Sequence, residues 1–136
     1  MAHCACDILL TDEPLAAPNE SDGAETGAIV DFWGVVRETE GDAQISGIDY
    51  EAHRTMAEHQ LRKIADDATG QFTLMQIIVH HRVGFVAVGE ASLFVRVGSK
   101  HRAEGFRACQ WIVDELKQRA PIWKHPKVGA RAAAAV

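Results

Sequence analysis

Lys100, His101 and Arg102 stand together where the alternating segment EASLFVRVGS gives way to a helical pattern, and Lys117 and Lys124 flank the break at Ala120 and Pro121 in LKQRAPIWK. The first turn of a helix has unpaired N–H groups and partial positive charge, so it attracts phosphates and carboxylates; a guanidinium there adds paired donors. His101 and Arg102 are therefore candidate anion ligands. The competing reading is a solvated basic turn, which the helix dipole disfavours by about 0.3–1 kcal/mol. A lysine with apolar neighbours and other cations nearby can transfer protons or act as a nucleophile, and this is the chemistry open to Lys117 and Lys124. Ordinary helix C-capping by a cation competes with it.

The charge distribution sharpens the anion reading. The 136-residue chain has formal net charge −5, yet residues 100–136 hold eight Lys and Arg against three Asp and Glu, and residues 1–99 hold six against sixteen. The last part is thus +5 and the remainder −10. Such a local cluster in an acidic chain suits a small anionic ligand or a protein tail rather than a nucleic acid. No run approaches the roughly 20 apolar residues of a membrane span, and MAHCACDILL lacks the basic start and long apolar run of a secretion signal. Three cysteines are a poor disulfide framework. A cytoplasmic protein, without membrane or nucleic-acid partners, is expected.

The elements that must position these groups follow from periodicity. DILLT (7–11) reads as a short strand, within a loosely organised N-terminal segment, residues 1–26. AIVDFWGVVR (28–37) and SGIDYEAH (46–53) alternate as strands, the first giving out at Arg37. Thr55 and Glu58 form a capping box before the helical positions Ala57, Leu61, Ile64, Ala65 and Ala68, which run up to Gly70. FTLMQIIVHHRVG and EASLFVRVG are two more strands, joined through FVAVG. A last helix, with Ser99 as N-cap and Phe106, Cys109, Val113 and Leu116 on its apolar side, ends at Pro121. Residues 125–136 form a short tail. One α+β domain spanning residues 1–136 is expected, with helices packed on a mostly antiparallel sheet.

Other chemistry is weaker. His3, Cys4 and Cys6 resemble part of a soft-metal clamp, but no second C-x-x-C or H-x-x-x-H completes a zinc site. His80 and His81 point to opposite faces of a strand, so at most one joins any cluster. Asp49 and Glu51 share an exposed face, His53 and His59 read as surface or satisfied residues, and Cys109 reads as a core thiol. Nucleotide-binding glycine loops and the G-x-S-x-G elbow are absent from the sequence.

GAIVDFWGVVR, IDYEAHRTMAE, VHHRVGFVAVGEASLFVRVGSKHR and DELKQRAPIWK, from Gly27 to Lys124, resemble the large, catalytic subunit of molybdopterin synthase, the MoaE family. The resemblance implies an α/β hammerhead-like fold with a small antiparallel subdomain. It implies a sulfurtransferase that moves sulfur from the C-terminal thiocarboxylate of a small ubiquitin-like, MoaD-like partner ending in Gly-Gly to cyclic pyranopterin monophosphate. The product is the molybdopterin dithiolene. Assembly would be a two-plus-two heterotetramer around a homodimer of large subunits, with no metal or other cofactor. Carried onto this sequence, Val35, Val36 and Arg37 are substrate-binding, and His101 and Arg102 hold the pterin phosphate. Lys117 and Lys124 are both substrate-binding and catalytic, and a loop of Lys124, His125 and Pro126 completes the pocket. A non-catalytic module for a phosphorylated ligand or ubiquitin-like tail is the alternative.

Overall fold

The computed structural model describes residues 4–19 and 23–128. Its elements run β1 (Ala5–Thr11), β2 (Ala28–Val35), β3 (Thr39–Glu40), β4 (Ala43–Ala52), α1 (Arg54–Gln71), β5 (Leu74–Arg82), β6 (Gly84–Ala87), β7 (Ala91–Ser99), α2 (Arg102–Arg119) and β8 (Ile122–Val128). The nearly unbroken apolar runs of β5 and β7 take the middle of a four-stranded sheet ordered β1-β5-β7-β2, where both faces are covered. The alternating β2 is an edge of that sheet, with Ile29, Trp33 and Val35 exposed. Only β1 and β5 pair in parallel; β5–β7 and β2–β7 are antiparallel.

Both helices bury one stripe against this sheet. Leu61, Ile64 and Ala65 of α1 and Ala108, Ile112 and Leu116 of α2 meet Ile77, Val79, Val95 and Val97 in the main core. At roughly 25 cal/mol per Å² of apolar area, each fully buried aliphatic side chain contributes about 1.5–3 kcal/mol. A second sheet, β3-β4-β6 with β8 on the other side of β4, has its own small core of Val36, Ile45, Ile48, Tyr50 and Val86. Gly47 allows β4 and β6 to close together, because a Cβ there would lie 2.4 Å from the Val86 carbonyl oxygen. The α+β class and the small antiparallel unit expected from the sequence are both present.

Local details differ from the sequence reading. The α1 cap is His53, whose Nδ1 accepts the Met56 N–H (3.3 Å), two residues ahead of the expected Thr55 box. The α2 cap is His101 rather than Ser99, whose hydroxyl instead donates to the His101 carbonyl (2.7 Å). Phe106 is exposed, and Gly105 faces inward in its place, with Ser99 Oγ and Val30 so near that a Cβ would meet them at 2.9 and 3.2 Å. That close approach rolls the helix so that the 106 position faces outward. FVAVG is more than a connection, since β6 pairs with β4 over Gly47–Tyr50. The start of the expected tail is likewise a strand: β8 pairs with β4 from Ile45 to Ala52.

One ion pair ties the edge strand to the sheet. Arg96 on β7 donates twice to Asp31 on β2, Nε to Oδ1 at 2.7 Å and Nη2 to Oδ2 at 2.8 Å, and Nη1 reaches the Pro18 carbonyl at 2.9 Å. Arg96 is only 8% exposed. Removing Asp31 takes away two charge-assisted hydrogen bonds while the other contacts of Arg96 remain, at a cost of about 2 kcal/mol. Asp31→Ala is therefore expected to lower unfolding stability by about that amount, measured as a lower urea midpoint at unchanged slope.

Candidate active site

A cavity of ≈ 630 Å³ opens where the end of β2, the last turn of α2 and the β4–β8 pair meet. Arg37 reaches it because β2 ends at Val35 and the next residue is pinned: the Val36 N–H donates to the Glu90 carbonyl (3.0 Å), and the Gly89 N–H to the Val36 carbonyl (2.9 Å). Lys117 comes from the last turn of α2, and Lys124 from β8, where it stands opposite Tyr50. Val35 and Val36 line the same space, with Phe32, Trp33, Leu116 and Ile122 supplying apolar wall. The charged lining is three cations, Arg37, Lys117 and Lys124, against one carboxylate, Glu40. Lys124 Nζ lies 3.8 Å from Glu40. Arg37 and Lys117 have no ion-pair partner among the described residues.

The remaining wall is a neutral polar network. The Tyr50 hydroxyl donates to Ser92 Oγ (3.1 Å), which donates to the Gly34 carbonyl (3.5 Å). Burial raises the Tyr50 phenol above its usual pKa, so the hydroxyl keeps its proton. His81 stands edge-on to Tyr50, with ring centroids 5.3 Å apart. Its Nδ1 lies 2.7 Å from the Arg82 carbonyl, and burial lowers its pKa. Of the adjacent histidines, His81 faces the cavity, whereas His80 contacts Asp7 at 3.1 Å on the other side of β5.

The other candidate ligands lie elsewhere on the same chain. His101 and Arg102 begin α2, whereas Lys117 is fifteen residues further on, about 22 Å along the axis. Both are exposed, and neither lines the cavity. Lys124, His125 and Pro126 do not form a loop: all three lie in β8, held by the pairing with β4. His125 contacts Glu51 at 2.9 Å, and only Lys124 of the three lines the cavity. Glu40, Tyr50, His81 and Ser92 are lining residues that sequence reasoning did not single out for the site. The strand period does say that one of His80 and His81 faces inward, but not what it meets there.

Of the possible metal clamp, His3 lies outside the described residues, as do residues 129–136 of the tail. Cys4 Sγ and Cys6 Sγ are 4.0 Å apart. Cys6 is lowered to about 7 because Cys4 donates to its thiolate, and Cys4 is raised in turn. Among the described residues no group of three or more His, Cys, Asp or Glu is placed to hold a metal. Burial pushes Cys109 up to about 11, in keeping with an unreactive core thiol. No helix among the described residues is long and apolar enough to cross a membrane.

Comparison with known proteins places this architecture. The profile of the family described as MoaE protein matches residues 10–119. A molybdopterin synthase catalytic subunit from Thermoplasma volcanium is 38% identical over 111 residues, covering 82% of this chain and 81% of that protein. The crystal structure of molybdopterin synthase from Staphylococcus aureus superposes with a TM-score of 0.82 at 28% identity, covering 89% of this chain and 90% of that one. A protein–protein complex of subunits 1 and 2 of molybdopterin-converting factor from Helicobacter pylori shares the fold, with a TM-score of 0.64 at 21% identity over 79% of this chain and 73% of that one. With the profile spanning most of the sequence, and a relative this similar matched over four-fifths of its own length, the chain belongs to the MoaE family.

Proposed function

We propose that this chain is the catalytic subunit of a molybdopterin synthase, working in molybdenum cofactor biosynthesis in the cytoplasm. It transfers sulfur from the C-terminal thiocarboxylate of a small ubiquitin-like protein to cyclic pyranopterin monophosphate. The observation that carries the reading is the cavity, in which two cations without ion-pair partners, Arg37 and Lys117, face the same space as Lys124. Two anionic guests, a cyclic phosphate and a thiocarboxylate, would supply the missing negative charge. Apolar wall from Phe32, Trp33 and Ile122 suits a flat heterocycle, and a bound heterocycle would displace water and strengthen the charge interactions.

In this reading the partner's extended Gly-Gly tail enters beside Lys117, and its sulfur attacks the pterin side chain. Lys117 and Lys124 offset the negative charge that develops on oxygen and sulfur, and Arg37 orients the substrate. Each partner brings one sulfur and a dithiolene contains two, so the cycle runs twice per pterin. His101 and Arg102 are too far from their own chain's cavity to hold the same substrate molecule. For them to serve this site, a second copy of the chain would have to supply them by bringing the start of its own α2 to the first copy's cavity. That arrangement requires a homodimer, with one small partner on each large subunit. The H. pylori complex of two subunits on this fold supports a partner of this kind.

Mixing the chain with a thiocarboxylated ubiquitin-like protein ending in Gly-Gly and with cyclic pyranopterin monophosphate is expected to give molybdopterin, detected as its fluorescent oxidation product. The same mixture should elute as a two-plus-two complex. A complex without turnover would point instead to a binding module, and absence of both would reject the assignment.

A further inference from the structure

His81 is the lining group whose chemistry the sulfur-transfer reading leaves unused. Its Nδ1 faces a carbonyl oxygen, which can only accept, so Nδ1 carries the proton and donates to Arg82 at 2.7 Å. In the neutral ring the lone pair then sits on Nε2. No other contact to a ring nitrogen of His81 occurs among the described residues.

The groups that share the cavity or pack beside this ring leave it the natural proton acceptor. Arg37, after β2, and Lys117, on α2, are donors only, and Lys124, on β8, is already beside Glu40 of β3. On β4 and β7, the Tyr50 and Ser92 protons are both committed to the Gly34 carbonyl chain. On its own strand, the Arg82 guanidinium turns away to Glu90, at 3.1 Å, and to the carbonyls of Asp12 and Phe85. Burial keeps the ring neutral at a pH where an exposed histidine would be partly charged, though the Arg82 carbonyl partly offsets this.

We propose that His81 Nε2 is the general base for the hydrolytic half of the reaction, a role that rests on the sulfur-transfer reading above. Once the thiocarboxylate sulfur has bonded to the pterin, that sulfur is shared between the partner's acyl carbon and the pterin as a thioester. Water must then split the acyl–sulfur bond. As the water oxygen adds to the acyl carbon, Nε2 takes one of its protons. The tetrahedral adduct collapses, its C–S electron pair leaves with sulfur as a thiolate on the pterin, and the acyl carbon keeps the oxygen as a carboxylic acid. The imidazolium then gives its proton to the thiolate or to solvent, which restores the neutral ring. Nothing is oxidised or reduced, and no further reactant is needed. Lys117, facing the same cavity, stabilises the oxyanion of the adduct.

The test is a single-turnover reaction with thiocarboxylated partner and cyclic pyranopterin monophosphate, followed by intact-protein mass for the partner–pterin adduct and by fluorescence for product. His81→Gln keeps a polar side chain of similar reach but cannot take the proton. It is expected to form the adduct at the wild-type rate, accumulate it, and hydrolyse it about 10²-fold more slowly. In wild type, hydrolysis should fall as pH drops through the lowered His81 pKa, because protonation removes the lone pair; His81→Gln should lose that acid limb. His81→Ala should be partly rescued by added imidazole, which a purely structural loss would not allow. A folded His81→Gln that hydrolyses the adduct at the wild-type rate with the acid limb intact overturns the proposal. Should the variant fail to fold, absence of the acid limb in wild type overturns it equally. If wild-type protein forms neither adduct nor product, it is the sulfur-transfer reading that fails.

Discussion

Lys117→Ala is expected to reduce dithiolene formation by about 10³-fold while leaving the unfolding free energy within about 0.5 kcal/mol of wild type. The two halves of this expectation have separate causes. Lys117 is exposed in the last turn of α2, and its only structural duty is to sit near the unpaired carbonyls at the helix end, a contribution of about 0.3–1 kcal/mol that Arg119 also makes. In the cavity, by contrast, it is one of two cations with no ion-pair partner among the described residues, placed beside apolar side chains to offset the charge of a developing oxyanion. Loss of one preorganised donor at such a position typically costs two to three orders of magnitude. Lys117→Arg separates the duties: charge near the helix end is retained, but the compact ammonium is replaced by a wider planar fork. Stability should be unchanged and activity should remain low. Wild-type turnover in Lys117→Ala would place the chemistry elsewhere in the cavity.

The sequence made legible those parts of the fold whose burial follows a simple period. In α1 the buried set Ala57, Leu61, Ile64, Ala65 and Ala68 repeats at helical spacing, and β2 alternates along its whole length. β8 left no such trace. All its residues after Ile122 are exposed, it carries Pro126, and it is held by backbone pairing with β4 and by polar contacts of His125 and Lys124 rather than by apolar burial, so neither face writes a hydrophobic pattern. β6 is only four residues long, too short for a period to register. Phe106 misled because spacing shows which positions share a stripe but not how far the helix is rolled, and here the contact at Gly105 decides that. Of the cavity's cations, Lys117 and Lys124 stood out by charge at the end of a helix, whereas Arg37 entered through the family resemblance alone. His81 did not stand out, because its role depends on Tyr50, 31 positions earlier, and on a backbone carbonyl that no residue type announces. The placement of His101 and Arg102 at the opposite end of α2 from Lys117 was legible, but not its consequence, since a motif spacing does not say whether two groups meet within one chain or between copies.

A mixture of two impaired variants is expected to be more active than either alone. Arg102→Ala, by removing a charged donor to the pterin phosphate, should lose about 10- to 100-fold, mostly as a raised KM; Lys117→Ala should be nearly inactive. In a dimer containing one of each, the cavity of the Lys117→Ala chain has both lesions, because its neighbour brings Ala at position 102. The other cavity has its own Lys117 and receives Arg102 from the neighbour, and so is intact. Random pairing puts the variants together in about half of the dimers, and co-expression should therefore restore about a quarter of wild-type sites. The expectation follows from helix length together with the proposed homodimer: with Arg102 and Lys117 about 22 Å apart along one rigid α2, a single pterin cannot touch both within one chain. If Arg102 instead served its own chain's cavity through some rearrangement, every cavity in the mixture would have one lesion, and co-expression would give no more than the average of the two variants. Turnover measured on the co-expressed protein, after exchange between dimers has been checked by mass, decides between these outcomes.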